Sequence, residues 1–149
     1  MRCWFDLMMA HQEDLAIIMT TEQGKALAES RGEVAYGAAF MEWFGEQAKR
    51  IDGAVIPAPS SDKRVVCIKQ PVGVVAAITP WNFPINIPVE YLAPGLAMGN
   101  TIVWVPAPTT SVCAVKLAEC FEVAGVPKGA VNLVTGPGPV VGNEICLLY

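Results

Sequence analysis

The chain has 149 residues, 53% of them hydrophobic and 16% charged, a balance that suits a folded core and excludes a disordered chain. Its formal net charge is -4 and only Lys63, Arg64 and Lys69 bring basic residues close together, so there is no electrostatic footprint for nucleic acid. Five cysteines without a C-x-x-C pair and a single histidine signal neither a disulfide framework nor a zinc site, and they exclude a Ser/His/Asp triad within the chain.

In chain order, Trp4, Leu7, Met8, Leu15, Ile18 and Met19 fall at helical spacing, which predicts a first helix running to about Glu22 with Gly24 as its stop. His11, on this helix, reads as a surface or boundary residue. A second helix is predicted from roughly Glu29 to Arg50, with Val34, Ala38, Met41, Gly45 and Ala48 on one stripe. Phe40, Trp43 and Phe44 widen that stripe and read as core or interface packing. Glu42 and Glu46 lie four apart beside Lys49 and Arg50, which describes a solvated face and not a paired-carboxylate site.

From Ile51 to Ser61 the composition shifts to Gly, Pro, Ala and Ser, and Arg64 to Gln70 alternates as a strand exposed on one face. The two stretches together read as an arm with a turn at Pro59–Asp62. Beyond Pro71 the pattern is regular. Strands are predicted at Val72–Ile78, Thr101–Val105 and Ala130–Val134, with helices at about Val89–Met98 and Ser111–Ala124 and a further helix starting after the last strand. That alternation is α/β, one βαβαβ half of a Rossmann-like parallel sheet, whose first strand should be buried on both faces. Ser111 is the expected N-cap of its helix, and Gly125 with Pro127 the expected stop.

The span from Ile85 to Val105 has membrane-like length and one charge, Glu90, but Pro88, Pro94, Gly95, Gly99 and Asn100 break it into helix, turn and strand. No charged n-region followed by an apolar h-region and a cleavage site opens the sequence, so we expect no membrane partner and a cytoplasmic location. Both ends read as cut, because neither carries a helix cap.

Chemistry is expected beyond the carboxyl ends of the strands. After the first comes Pro80-Trp81-Asn82-Phe83-Pro84. The prolines restrict the backbone. Two roles fit Asn82: an uncharged amide donor toward a developing oxyanion, or a turn residue satisfying local backbone groups while Trp81 fills core. After the second strand, Pro106-Ala107-Pro108 could border a cofactor or simply make a rigid connection. After the third, Thr135 to Gly142 forms a Gly-rich turn, spaced G-x-G-x-x-x-G, which is one residue off the usual dinucleotide fingerprint. A structural βα turn accounts for it equally well. The cysteines read as structural thiols, with Cys113 and Cys120 in helix core and Cys67 in a strand.

The stretch Ile78-Thr79-Pro80-Trp81-Asn82-Phe83-Pro84 resembles the signature loop of the NAD(P)-dependent aldehyde dehydrogenases. Further stretches similar to that family follow its order: Thr21-Glu22-Gln23-Gly24-Lys25, Glu33-Val34-Ala35-Tyr36 with Glu42-Trp43-Phe44, Ile56-Pro57-Ala58-Pro59, Gln70-Pro71-Val72-Gly73-Val74 and Val131-Asn132-Leu133-Val134-Thr135-Gly136. The resemblance covers nearly the whole chain and is nearest the succinate-semialdehyde dehydrogenase branch.

It implies oxidation of a small aldehyde by a cysteine thiolate, with hydride passed to NAD or NADP and a glutamate activating water. By the same resemblance Asn82 matches the asparagine that stabilises the oxyanion, and Ile78, Thr79, Pro80 and Trp81 with it line the cofactor cleft. Pro106, Ala107 and Pro108 would lie along the adenosine ribose, and Gly138 with Gly142 would border the adenine. Residues 1–52 correspond to amino-terminal helices of the nucleotide-binding domain, 53–70 to an oligomerisation hairpin implying a homo-oligomer, and 71–149 to a truncated Rossmann-like half.

The family's nucleophilic cysteine, general-base glutamate and later G-x-x-x-x-G turn lie beyond the matched segment, so the chain alone should be inactive. Three positions depart from the pattern: Val105 and Tyr91 stand where lysines are usual, and Pro108 where an acidic residue is common. Losing two cations beside the cofactor leaves the choice of NAD or NADP open. The alternative expectation is a non-catalytic nucleotide-binding or interaction module of the same fold.

Overall fold

A computed structural model describes residues 1–147. The amino-terminal part is helical: α1 (Arg2–Ala10), α2 (Gln12–Gln23) and α3 (Leu27–Gln47), the last closing in a 3-10 turn at Ala48–Arg50. A hairpin follows, β1 (Ala54–Ile56) paired antiparallel with β2 (Val65–Cys67). Then β3 (Val74–Ile78), α4 (Asn86–Ala97), β4 (Thr101–Val105), α5 (Ser111–Val123), β5 (Val131–Leu133) and α6 (Gly138–Cys146) complete the order.

The βαβαβ alternation expected from the sequence is present. Strands β3, β4 and β5 form a parallel sheet in sequential order, with Val75 opposite Ile102, Ala77 opposite Trp104, and Trp104 opposite Leu133. Because side chains alternate along a strand, Ala77, Ile102 and Trp104 share one face, and all three are buried. That face meets the helices. Trp4 of α1 lies edge-on to Phe121 of α5 with ring centroids 3.8 Å apart, and Phe121 in turn faces Trp104 at 6.1 Å. One buried cluster therefore runs from Trp4 through Met41 and Leu92 to Phe121.

Several expectations are corrected. The first predicted helix is two, kinked at His11, whose backbone has φ -104 and ψ 18. Helix-type bonds continue across it, from His11 N–H to Leu7 and from Leu15 N–H to His11. Strand β3 is not buried on both faces: Val74 and Ile78 are exposed, opposite the buried Ala77. The helices packed here cover only the Ala77 face. Helix α4 begins at Asn86, three residues before its predicted start at Val89, because Pro88 falls in the first turn, where a missing N–H breaks no helical bond. The hairpin expected over 53–70 is present, with its strands limited to three residues each.

Two backbone devices hold the layers in place. Gly24 ends α2 at φ 76, a left-handed conformation that L side chains rarely adopt. Gly37 lets α3 approach α4, because a Cβ there would lie 3.3 Å from the Asn86 Cα. At the start of β3, the Asn100 side chain accepts the Val72 and Gly73 N–H groups at 2.8 and 3.2 Å and donates to the Gly95 carbonyl at 3.1 Å.

Candidate functional site

The parallel register brings the three candidate segments to one edge. Ile78 pairs with Val105, and the next residue, Thr79, donates its N–H to the Val105 carbonyl at 2.9 Å. Val134 N–H bonds the Trp104 carbonyl at 2.9 Å. The Pro80–Pro84 loop, the Pro106–Pro108 connection and the Thr135–Gly138 turn thus all leave the carboxyl ends of adjacent strands.

Within the first loop the side chains divide by face. Thr79 is buried and its hydroxyl accepts the Trp104 indole N–H at 2.9 Å, so it serves the core. Ile78 and Trp81 are 54% and 56% exposed. Asn82 is exposed too, and its side-chain amide makes no hydrogen bond among the described residues. Its backbone carbonyl is tethered instead, accepting the Lys25 ammonium at 2.6 Å.

Lys25 also pairs with Glu33 on α3, and its Nζ lies 4.0 Å from the centre of the Phe83 ring. The Glu33 side chain is 1% exposed. Its Oε1 accepts the N–H groups of Ile85 and Asn86, at 3.0 and 3.2 Å, at the start of α4. A carboxylate there satisfies orphan amides and faces the positive end of the helix. A second carboxylate does the same for the next loop: Glu22 accepts Val112 N–H at 2.9 Å and Cys113 N–H at 2.7 Å. Ser111, the predicted N-cap, is the first helical residue, and no side chain of its own segment caps α5.

Beyond the second strand Pro106 is buried, Ala107 half-buried and Pro108 exposed. Gly138 and Gly142 lie on α6, where a Cβ at either position would meet nothing within 4 Å. Burial, and then the neighbouring Glu22 charge, pushes the Cys113 thiol well above its ordinary range, and burial raises Cys120. Neither is a thiolate nucleophile near neutral pH. Glu42 and Glu46 bond Arg2 and Lys49, each at 2.7 Å, on the exposed side of α3. Among the described residues no cluster of His, Cys, Asp and Glu could hold a metal ion, and no helix is long and apolar enough to cross a membrane.

Sequence reasoning missed Glu22, Lys25 and Glu33 as functional positions. The available signal was Glu33 itself, a charge on the same helical stripe as the apolar Met41 and beside Val34, since a charge on a buried face needs a partner.

Comparison with known proteins places these features in a family. A family model described as "Aldehyde dehydrogenase family" matches residues 1–147. The chain is 55% identical over 97% of its length to a glutarate-semialdehyde dehydrogenase of Pseudomonas aeruginosa, and 54% identical over 97% to the NADP(+) succinate-semialdehyde dehydrogenase of Escherichia coli. It spans 30% of the length of each. The crystal structure of an aldehyde dehydrogenase from Brucella melitensis superposes with a TM-score of 0.96 at 50% identity, covering 99% of this chain and 30% of that one.

Proposed function

This chain belongs to the aldehyde dehydrogenase family, and from that premise we propose that it is part of an NAD(P)-dependent enzyme oxidising a succinate-semialdehyde-like aldehyde to the carboxylic acid. The observation that carries the reading is the Asn82 side chain: exposed and without a hydrogen bond among the described residues, at the carboxyl end of a parallel strand, on a loop whose backbone is tethered. An amide NH2 in that state can donate to an oxyanion without titrating.

The edge also fits a dinucleotide. Ile78 and Trp81 offer exposed apolar surface, and the open space above Gly138 and Gly142 permits close approach of a planar base to helix backbone. Pro106, Ala107 and Pro108, on the neighbouring connection, would lie along the ribose. When bound, the cofactor supplies the hydride acceptor. None of these side chains is cationic, so NAD and NADP both remain compatible, and the name of the Escherichia coli relative favours NADP. The nucleophilic cysteine and general-base glutamate implied by the family lie outside this chain, which leaves it inactive alone. The β1–β2 hairpin supplies an oligomer contact in this reading.

Reduced nicotinamide absorbance tests it. The 149-residue chain gives no turnover of succinate semialdehyde with either cofactor, and turnover would overturn the assignment of the nucleophile elsewhere. In the protein extended by its full reading frame, Asn82→Ala lowers kcat by about 10²–10³-fold. An unchanged kcat would remove Asn82 from the oxyanion site. The alternative, a non-catalytic nucleotide-binding module, is supported by the continuous buried cluster from Trp4 to Phe121, which gives the chain a core of its own. It predicts dinucleotide binding by the isolated chain and no dehydrogenase activity in the extended protein.

A further inference from the structure

We propose that Lys25 and Glu33 are positioning residues for Asn82, fixing the placement of the loop backbone from which its amide projects. The proposal rests on the reading of Asn82 as the oxyanion donor. It stands on one connected set of contacts. Glu33 Oε1 takes the Ile85 and Asn86 N–H groups, Lys25 pairs with the same carboxylate, and Lys25 Nζ donates to the Asn82 carbonyl at 2.6 Å. The Glu33 side chain is buried at 1% exposure, and that of Lys25 is largely covered at 12%.

The backbone between these anchors has little freedom of its own. Pro80 and Pro84 fix two φ angles, and the ring of Pro84 disfavours helical backbone at Phe83. With Ile85 and Asn86 pinned on one side and the Thr79 N–H on the Val105 carbonyl on the other, the backbone around Trp81 and Asn82 is the part of the loop left to be held. Lys25 holds it by the Asn82 carbonyl oxygen. Because the Asn82 side chain has no bond among the described residues, the reach of its amide is set by where its backbone sits and which rotamers that backbone allows, and the carbonyl tether holds that backbone.

The ammonium has a reason to stay. Removed from Glu33, it would leave a nearly inaccessible carboxylate without its counter-charge, a costly state, while the Phe83 ring face adds attraction on the other side. An error of about 1 Å in a catalytic group costs roughly 10²-fold in rate, so releasing the tether should appear in kcat.

Hydrogen exchange by mass spectrometry on the dilute 149-residue chain reads the tether without activity. Lys25→Met should speed exchange at Ile85 and Asn86 by about tenfold, because a Glu33 carboxylate without its counter-charge moves toward water and weakens its hold on these two N–H groups. Protection at Val112 and Cys113, which Glu22 caps independently, stays unchanged. Lys25→Arg, which keeps the charge, restores the slower exchange. Unchanged exchange at Ile85 and Asn86 would overturn the proposal. If Lys25→Met also loses protection at Val112, the same comparison is read on Glu33→Gln, which keeps an acceptor oxygen for α4 but weakens the hold on Lys25.

In the extended protein, Lys25→Met lowers kcat with little change in KM, and adds nothing in an Asn82→Ala background. Additive losses would mean that Lys25 acts elsewhere, and the proposal would fall. Should Asn82→Ala itself leave kcat unchanged, the oxyanion reading falls on its own, while the exchange result still reports whether the tether exists.

Discussion

Cys113 shows how one side chain can set a pH limit. Its thiol is completely buried and held protonated, first by loss of solvent and then by the Glu22 carboxylate. In the unfolded chain the same group ionises near about pH 8.5. Above that pH the unfolded state releases a proton that the folded state keeps, so stability is full below the unfolded value and declines as pH rises. The slope is about 1.4 kcal/mol per pH unit for such a thiol. Urea midpoints measured between neutrality and about pH 9.5 should therefore fall for the native chain and fall less steeply for Cys113→Ala. Cys120, also raised by burial, keeps the slope from vanishing. Equal slopes for the two proteins would show that Cys113 ionises freely in the fold. The same burial explains why neither helical cysteine can substitute for a catalytic thiolate, a conclusion already open from their helical spacing in the sequence.

At the scale of elements, two of the three strand-end loops are fastened by carboxylates from other helices. Glu22 lies on α2 and caps α5, with two short bonds to Val112 and Cys113. Glu22→Ala should destabilise the chain by about 1–2 kcal/mol, as the loss of an N-cap does, lowering the urea midpoint with the slope unchanged. Glu22→Gln should lose roughly half as much, since it keeps one acceptor. A midpoint unmoved by Glu22→Ala would mean that water replaces the cap without cost. These caps explain where sequence reading stopped. The βαβαβ order was legible because apolar runs, helical stripes and turn residues are local patterns, and the Pro80–Pro84 loop was legible because prolines punctuate it. The carboxylates that hold Ile85 and Val112 come from residues 52 and 90 positions earlier, and no local pattern pairs them. The kink at His11 lacked any Pro or Gly to announce it. The hairpin was expected, but the bounds of β1 were not legible, because its three residues sit in a stretch dominated by Gly, Pro and Ala.

For the whole molecule, what matters is where apolar surface remains. The helices bury one face of the sheet, yet Val72 just before β3 and Val74 at its start are 83% and 76% exposed, and Val55 and Val66 of the hairpin, with Ile68 just after it, face solvent. Among the described residues each strand of the hairpin has one partner, so an unpaired backbone edge accompanies the apolar side chains, a combination that invites pairing with another chain. The net charge of -4 is too small to oppose this by repulsion. The isolated chain should consequently self-associate as concentration rises, with light scattering increasing and a hydrophobic dye binding to the folded state. Two surfaces compete for the cause, and substitution separates them. Val66→Lys places a charge on the hairpin and should lower association if the edge drives it, whereas Val74→Lys should do so if the open sheet face drives it. Neither position contributes to the buried cluster, so the urea midpoint should hardly change in either variant. If scattering from both matched the native chain, association would have to come from elsewhere on the surface, and the exposed aromatics Tyr36 and Trp43 of α3 would be the next place to substitute.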